Sequence, residues 1–190
     1  REEQRNGISY APLQRRAISA SLESGVMVLT GGPGTGKTTV IRGMLYAFDK
    51  MNLRVMLAAP TGRAAKRMSE ITGMEAKTIH RLLEVEWDDE DNQAFSRNER
   101  NPIEADVLIV DELSMIDIQL FSSLLDALPL GCRLIMVGDS DQLPPVGAGN
   151  VLHDVIETSM VHNTSAKAAV EMAVYDLIGK KWNVPVYKML

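Results

Sequence analysis

Val26-Met27-Val28-Leu29-Thr30-Gly31-Gly32-Pro33-Gly34-Thr35-Gly36-Lys37-Thr38-Thr39 decides how this chain is read. An apolar run enters a glycine-rich turn, and a helical pattern leaves it. G-x-x-x-x-G-K-[ST] between a strand and a helix is a phosphate-binding loop. The glycines let the backbone curl with its N–H groups inward, and the helix beginning near Lys37 adds its positive end. Lys37 is expected on the β- and γ-phosphates of ATP, and the Thr38 hydroxyl on Mg²⁺. Gly32, Pro33, Gly34, Thr35, Gly36 and Thr39 complete the expected nucleotide contacts. The bland alternative is a glycine-rich turn with no ligand. It is disfavoured because strand, loop and helix all fall where the motif needs them.

Beyond the loop, Val40, Ile41, Met44, Leu45 and Phe48 recur at helical spacing and predict a face packed on a sheet. Residues 54–59 read as a second strand. Pro60-Thr61-Gly62-Arg63 then turns the chain into a helix over 64–71. Thr61 is either a phosphate contact or a plain helix cap. Thr78 is expected to cap a short helix that carries His80, a residue more often packed or capping than catalytic. Residues 84–104 change character around Asp88-Asp89-Glu90-Asp91. Short alternating runs flank that polar turn, so either an inserted β-hairpin or a disordered acidic loop fits.

Val107-Leu108-Ile109-Val110 is continuous apolar sequence, as a strand buried on both faces requires, and it ends in Asp111-Glu112. Adjacent carboxylates there need a partner. Mg²⁺ held through water by Asp111 supplies one, leaving Glu112 to polarise an attacking water. Asp117 is expected to cap a helix lined by Phe121, Leu124, Leu125 and Leu128. Leu134-Ile135-Met136-Val137 is the next buried strand, and it runs on toward Gln142, a neutral group able to touch a γ-phosphate. That reach places this strand beside the loop strand, between it and Val107–Val110. Residues 149–157 read as another short helix. Upstream, Pro12 can start a helix. Gln14 lies in its first turn, either as a solvated residue or as an amide paired with an adenine edge.

The alternation of strands and helices implies an α/β fold, a parallel sheet with helices on both faces. At 190 residues the chain fits one domain, and its 45% hydrophobic and 24% charged content is ordinary for globular proteins. A net charge of −5 provides no global basic field for nucleic acid, though it leaves room for a local basic strip. The single cysteine, Cys132, excludes an internal disulfide and fits a reducing cytoplasm. No stretch approaches a membrane span. The chain starts with Arg1 rather than Met, and is read as a piece of a longer protein.

Gly31 to Thr39, Ala59-Pro-Thr-Gly-Arg63-Ala-Ala, Thr78-Ile-His-Arg-Leu-Leu83, Ile109-Val-Asp-Glu-Leu-Ser-Met115 and Val137-Gly-Asp-Ser-Asp-Gln-Leu-Pro-Pro-Val146 stand in one order. In that order they resemble the RecD-like helicases, the exodeoxyribonuclease V alpha-subunit group of helicase superfamily 1. The likeness spans about residues 8–157. It implies the first RecA-like core, a P-loop NTPase, of a motor moving 5′ to 3′ on single-stranded DNA in repair or recombination. By motif position Gln14 looks like the adenine-reading glutamine, and Lys37 and Thr38 like the phosphate and Mg²⁺ contacts. Asp111 and Glu112 look like the metal and water residues, and Gln142 like the γ-phosphate sensor. Lys37, Glu112 and Gln142 then form the catalytic set. Thr61, Arg63, His80, Pro144, Pro145 and Val146 look like parts of the DNA track, and residues 84–104 fall at the strand-separating pin.

The implied organisation is a linker or frayed end over 1–10, the ATPase domain over 11–157 with its 84–104 insertion, and a tail over 158–190. The tail departs from the family: the usual Phe-Arg-Gln element is missing, and an amphipathic helix and an edge strand at 183–187 stand in its place. Motifs of the second RecA-like domain, which supplies arginines to the γ-phosphate, are also missing. The resemblance therefore implies partners: that second domain, single-stranded DNA, other recombination subunits, and no membrane. Two competing readings remain, a non-translocating ATP-dependent switch and the motor part of a conjugative relaxase. The Ala-Pro-Thr-Gly-Arg and Gln142 motifs favour a motor over a switch.

Overall fold

Successive residues of a strand point to opposite sides, and here both sides are apolar. In the computed structural model, which describes residues 9–32, 34–87, 93–139 and Val151, every residue of Val107–Val110 is buried. The described elements run α1 (Pro12–Glu23), β1 (Val26–Thr30), α2 (Lys37–Lys50), β2 (Val55–Ala59), α3 (Gly62–Thr72), β3 (Ala76–Thr78), α4 (Ile79–Leu82), β4 (Val85–Trp87), β5 (Gln93–Phe95), β6 (Val107–Val110), a 3₁₀ turn (Leu113–Met115), α5 (Ile118–Asp126) and β7 (Arg133–Gly138). Five strands form one parallel sheet in the order β1-β7-β6-β2-β3. β7 lies between β1 and β6, as the reach expected of its downstream glutamine requires.

Alternation divides the core in two. Ala58, Leu108, Val110, Leu134 and Met136 pack with Ile79, Leu82 and Leu83 and with Phe121, Leu124 and Leu125. Leu57, Val107, Ile109, Ile135 and Val137 turn the other way, onto Val40, Ile41, Met44, Leu45 and Phe48 of α2 and Met68 of α3. α1 joins this second layer through Ala17, Ile18 and Leu22. Both faces are thus covered by helices, as a parallel sheet demands.

Thr78 caps α4 by accepting from Arg81 N at 3.2 Å, and Asp117 caps α5 by accepting from Leu120 N at 2.8 Å. β3 is an addition to the sequence reading. It is a three-residue edge strand, Ala-Lys-Thr, with no apolar run to announce it. The hairpin forms: β4 and β5 pair antiparallel in a separate two-stranded sheet. Its acidic tip, residues 88–92, lies outside the described residues. The hairpin base is held by Ser96 N donating to Glu84 O and Arg97 N to Leu83 O, both at 3.1 Å, and by an Arg97–Glu84 ion pair at 2.8 Å. The packed fold resumes before the expected end of the insertion, because Ile103 is buried and its N–H donates to Ala127 O at 2.8 Å. The readings over 1–8, 152–157 and 158–190 also lie outside the described residues. Among the described residues no helix is long and apolar enough to cross a membrane.

Ile109 sits fully buried on β6, at the middle of the sheet. Ile109→Ala should cost about 2–5 kcal/mol, a lost side chain plus a cavity that flanking strands cannot close. Urea unfolding followed by circular dichroism measures it; a loss below 1 kcal/mol would contradict the packing described.

Candidate functional site

The parallel strands all deliver their carboxyl ends to one edge, and there the sequence turns polar. After β1 the loop takes left-handed backbone at Gly34 (φ 75°) and Gly36 (φ 84°), which glycine adopts without a Cβ penalty. Gly36 is the residue from which α2 starts. Thr35 Oγ1 donates to Gly32 O at 2.9 Å, closing the loop on itself. The Lys37 ammonium lies inside the curl, donating to Gly31 O and, at 3.0 Å, to Gly32 O.

Beside the loop is a cavity of about 420 Å³. Gly32, Gly34, Thr35, Gly36, Lys37 and Thr38 form one wall, Asp111 and Glu112 another, and Ala64, Arg67, Met68, Ile71 and Thr72 of α3 a third. Gly138 and Asp139, at the end of β7, complete it. The expected loop residues and the expected acid pair therefore share one space.

The acids are held differently. Asp111 Oδ1 accepts from Glu112 N at 2.8 Å. Burial pushes the Asp111 pKa up, against the Glu112 N–H and the charges of Lys37 and Arg67. Glu112 is also raised, by burial and then by the Asp111 charge, while Arg67 and Arg63 pull it down. Glu112 further adopts left-handed backbone at φ 54°, ψ 42°, a costly conformation for a residue with a Cβ. The fold tolerates it because the next residues, Leu113 and Ser114, are buried in the following 3₁₀ turn.

Gln14 reaches the loop from α1. Its Oε1 accepts from Ala11 N at 3.0 Å, and its Nε2 lies so close to Gly36 that a Cβ there would collide with it. The residue that periodicity alone leaves in solvent thus sits against the loop. Thr39 approaches the same point, with Oγ1 3.9 Å from that hypothetical Cβ.

Thr61, Arg63 and His80 do not line the cavity. Thr61 acts as a cap, accepting from Ala64 N at 3.2 Å. Arg63 is exposed, although its charge is felt at Glu112. His80 is exposed, its ring 6.1 Å from Phe95 and tilted by 52°. Pro33, Gln142, Pro144, Pro145 and Val146 lie outside the described residues. Two cavity residues escaped the sequence reading. Arg67 stands one helical turn beyond Arg63, a spacing that also describes a solvated face. Asp139 follows β7 as Asp111 follows β6, and it is 3% exposed.

The AAA domain family matches residues 14–148, and the N-terminal domain family of mandelate racemase and muconate lactonizing enzyme matches residues 148–190. The chain is 43% identical over 159 residues to the ATP-dependent RecD2 DNA helicase of Deinococcus radiodurans, covering 80% of this chain and 22% of that protein. It is 40% identical over 167 residues to the RecBCD enzyme subunit RecD of Mycolicibacterium smegmatis, covering 76% of this chain and 30% of that one. It thus spans under a third of the length of these curated relatives. Among solved structures, Pif1 helicase from Candida albicans superposes with a TM-score of 0.54 at 26% identity, over 74% of this chain and 34% of the other. A Bacteroides Pif1 in complex with ADP-AlF4 gives 0.51 at 22% identity, over 79% and 36%.

The cap at Thr61 carries a measurable consequence. Thr61→Ala should lower stability by about 1 kcal/mol, since one N–H at the start of α3 loses its acceptor. Thermal unfolding is the measurement, with Thr61→Ser expected to retain most of the stability.

Proposed function

Because this chain belongs to the AAA domain family and is of the RecD-like helicase type, we propose that it is the ATP-binding first motor domain of a 5′-to-3′ DNA helicase acting in repair or recombination. The observation that carries the proposal is the shared cavity: the phosphate loop and the Asp111–Glu112 pair face one space of about 420 Å³ at the carboxyl edge of the sheet. A nucleotide triphosphate seated on the loop brings its terminal phosphate to the acids. Loop N–H groups and the α2 N-terminus bind the phosphates. Lys37 exchanges its bonds to Gly31 and Gly32 carbonyls for phosphate oxygens. Gln14, against Gly36, reads the base.

The donor set fits Mg²⁺: the Thr38 hydroxyl and the Asp111 carboxylate are hard oxygen ligands lining one cavity. Bound there, Mg²⁺ would neutralise phosphate charge. Glu112 is the base that orients the attacking water; its raised pKa strengthens it as a proton acceptor. Gln142 senses the γ-phosphate. Single-stranded DNA crosses by Thr61, Arg63, His80 and the residues Pro144, Pro145 and Val146, held mainly by its phosphates. The hairpin of β4 and β5 is the strand-separating pin.

In the full-length protein, Lys37→Ala should abolish or nearly abolish nucleotide binding. Glu112→Gln should bind ATP normally and lose turnover by at least about 10²-fold, the scale of general-base catalysis. Equilibrium binding of a fluorescent ATP analogue and steady-state hydrolysis distinguish the two. Equal loss of affinity in both variants contradicts the division of roles.

The 190-residue chain by itself should bind nucleotide and turn it over slowly. An opposing arginine is worth about 10³–10⁵ in rate, and motors close two domains on ATP to bring it in. Turnover at a full helicase rate, strongly stimulated by single-stranded DNA, would contradict this.

A further inference from the structure

Glycine is disfavoured inside a helix relative to alanine, so a buried one in mid-helix calls for a reason. Gly43 is buried in the middle of α2, seven residues and thus two turns beyond Gly36. A Cβ on Gly43 would strike Ile18 Cδ1, with Ile18 Cγ1 at 3.2 Å and Tyr10 Oη at 3.0 Å. A Cβ on Gly36 would strike Gln14 Nε2. Gln14 and Ile18 are one turn apart on α1 and so share a face. Gly43 of α2 and Gly36 at its N-terminal cap therefore stand opposite two side chains one turn apart on α1, and no side-chain carbon intervenes at either point.

The two helices are not equally free to move. α2 is fixed by the sheet, since Val40, Ile41, Met44 and Phe48 are at most 3% exposed. α1 is an outer element with an exposed flank, Leu13 being 78% exposed. Bulk added at Gly43 displaces α1, and Gln14 moves with it. The loop N–H groups belong to α2 and its approach, and they stay where they are.

We propose that Gly43 is a positioning residue for the base subsite: by admitting α1 to close contact, it sets the Gln14 amide beside the phosphate loop and governs affinity for the adenine base, leaving phosphate affinity alone. This rests on the reading that the cavity takes ATP with Gln14 at its base.

The test compares ADP with inorganic pyrophosphate, both with Mg²⁺, by calorimetry on the purified chain. Gly43→Ala should weaken ADP about tenfold, the loss of one well-placed polar contact, and leave pyrophosphate within about twofold. Adding Ile18→Ala to Gly43→Ala removes both Ile18 contacts, leaves only Tyr10 Oη at 3.0 Å to give by a few tenths of an ångström, and should restore most of the ADP affinity. Should Gly43→Ala not fold by circular dichroism, Ile18→Ala alone, which loosens α1 without adding atoms, should show the same preferential loss of ADP. Parallel losses of ADP and pyrophosphate, unchanged affinity for both, or no rescue by Ile18→Ala would each overturn the proposal. Gln14→Ala separates it from its premise. If that variant binds ADP like the parent chain, the base reading of Gln14 fails; if it loses ADP while folded Gly43→Ala does not, only the role of Gly43 fails.

Discussion

Burial of β6 on both faces fixes where polar chemistry can begin. No residue from Val107 to Val110 is exposed, so the strand has no side on which to carry a charge. The first residue past the sheet is Asp111, and even there burial raises its pKa. β7 obeys the same constraint, buried from Leu134 to Gly138 and followed by Asp139, while the half-buried edge strand β1 is followed by Gly31. Parallel pairing brings these ends to one edge, with β7 between the other two. A phosphate-binding backbone, two strand-end acids and a third acid therefore converge without any long-range pairing of polar side chains. The apolar interior assembles the site by leaving polar residues nowhere else to be.

Charge balance inside the cavity follows from that convergence. Burial raises the cost of ionising both acids, and the Asp111 charge adds to it at Glu112. Lys37 offsets this at Asp111, and Arg67 at both acids. The cations come from different elements, α2 and α3, so the cavity holds its anions between two helices. Left-handed backbone at Glu112 belongs to the same arrangement: it ends the strand abruptly, with Leu113 and Ser114 buried directly behind. The strain sits at the proposed base, where a rigid position serves proton transfer.

Much of this was legible in the residues. The apolar runs of β6 and β7 marked buried strands, that of β1 marked the strand entering the loop, and Thr78 and Asp117 marked helix starts, because these signals are local. β3 was not legible: three residues including Lys77 make a strand only because β2 offers an edge for pairing. Gln14 read as solvated on periodicity, and only the motif resemblance brought it to the loop. The structure explains the difference, since contact with Gly36 depends on how α1 crosses α2, which no spacing within α1 encodes. Arg67 was missed for a related reason. Its spacing from Arg63 describes a wet helix face equally well, and the cavity exists only once β6 lies behind it.

Net charge is the one global quantity that counts against the proposed DNA binding, and the distribution of charge along the chain weakens that objection. The chain carries −5, yet screening confines surface electrostatics to about 8–10 Å at ordinary salt. What a DNA backbone meets is therefore the local surface. From the end of β2 through α4, Arg63, Lys66, Arg67, Lys77 and Arg81 outnumber Glu70 and Glu75. Lys66 and Glu70 approach only to 4.0 Å, both exposed, so the pair does little to neutralise this stretch. The densest acidic run, Asp88-Asp89-Glu90-Asp91, falls outside this stretch, between β4 and β5 in the sequence. The stretch from the end of β2 through α4 is thus locally basic within a chain that is negative overall. The DNA binding proposed above would draw on a local excess of this kind, since attraction to a phosphate backbone is largely electrostatic and insensitive to sequence.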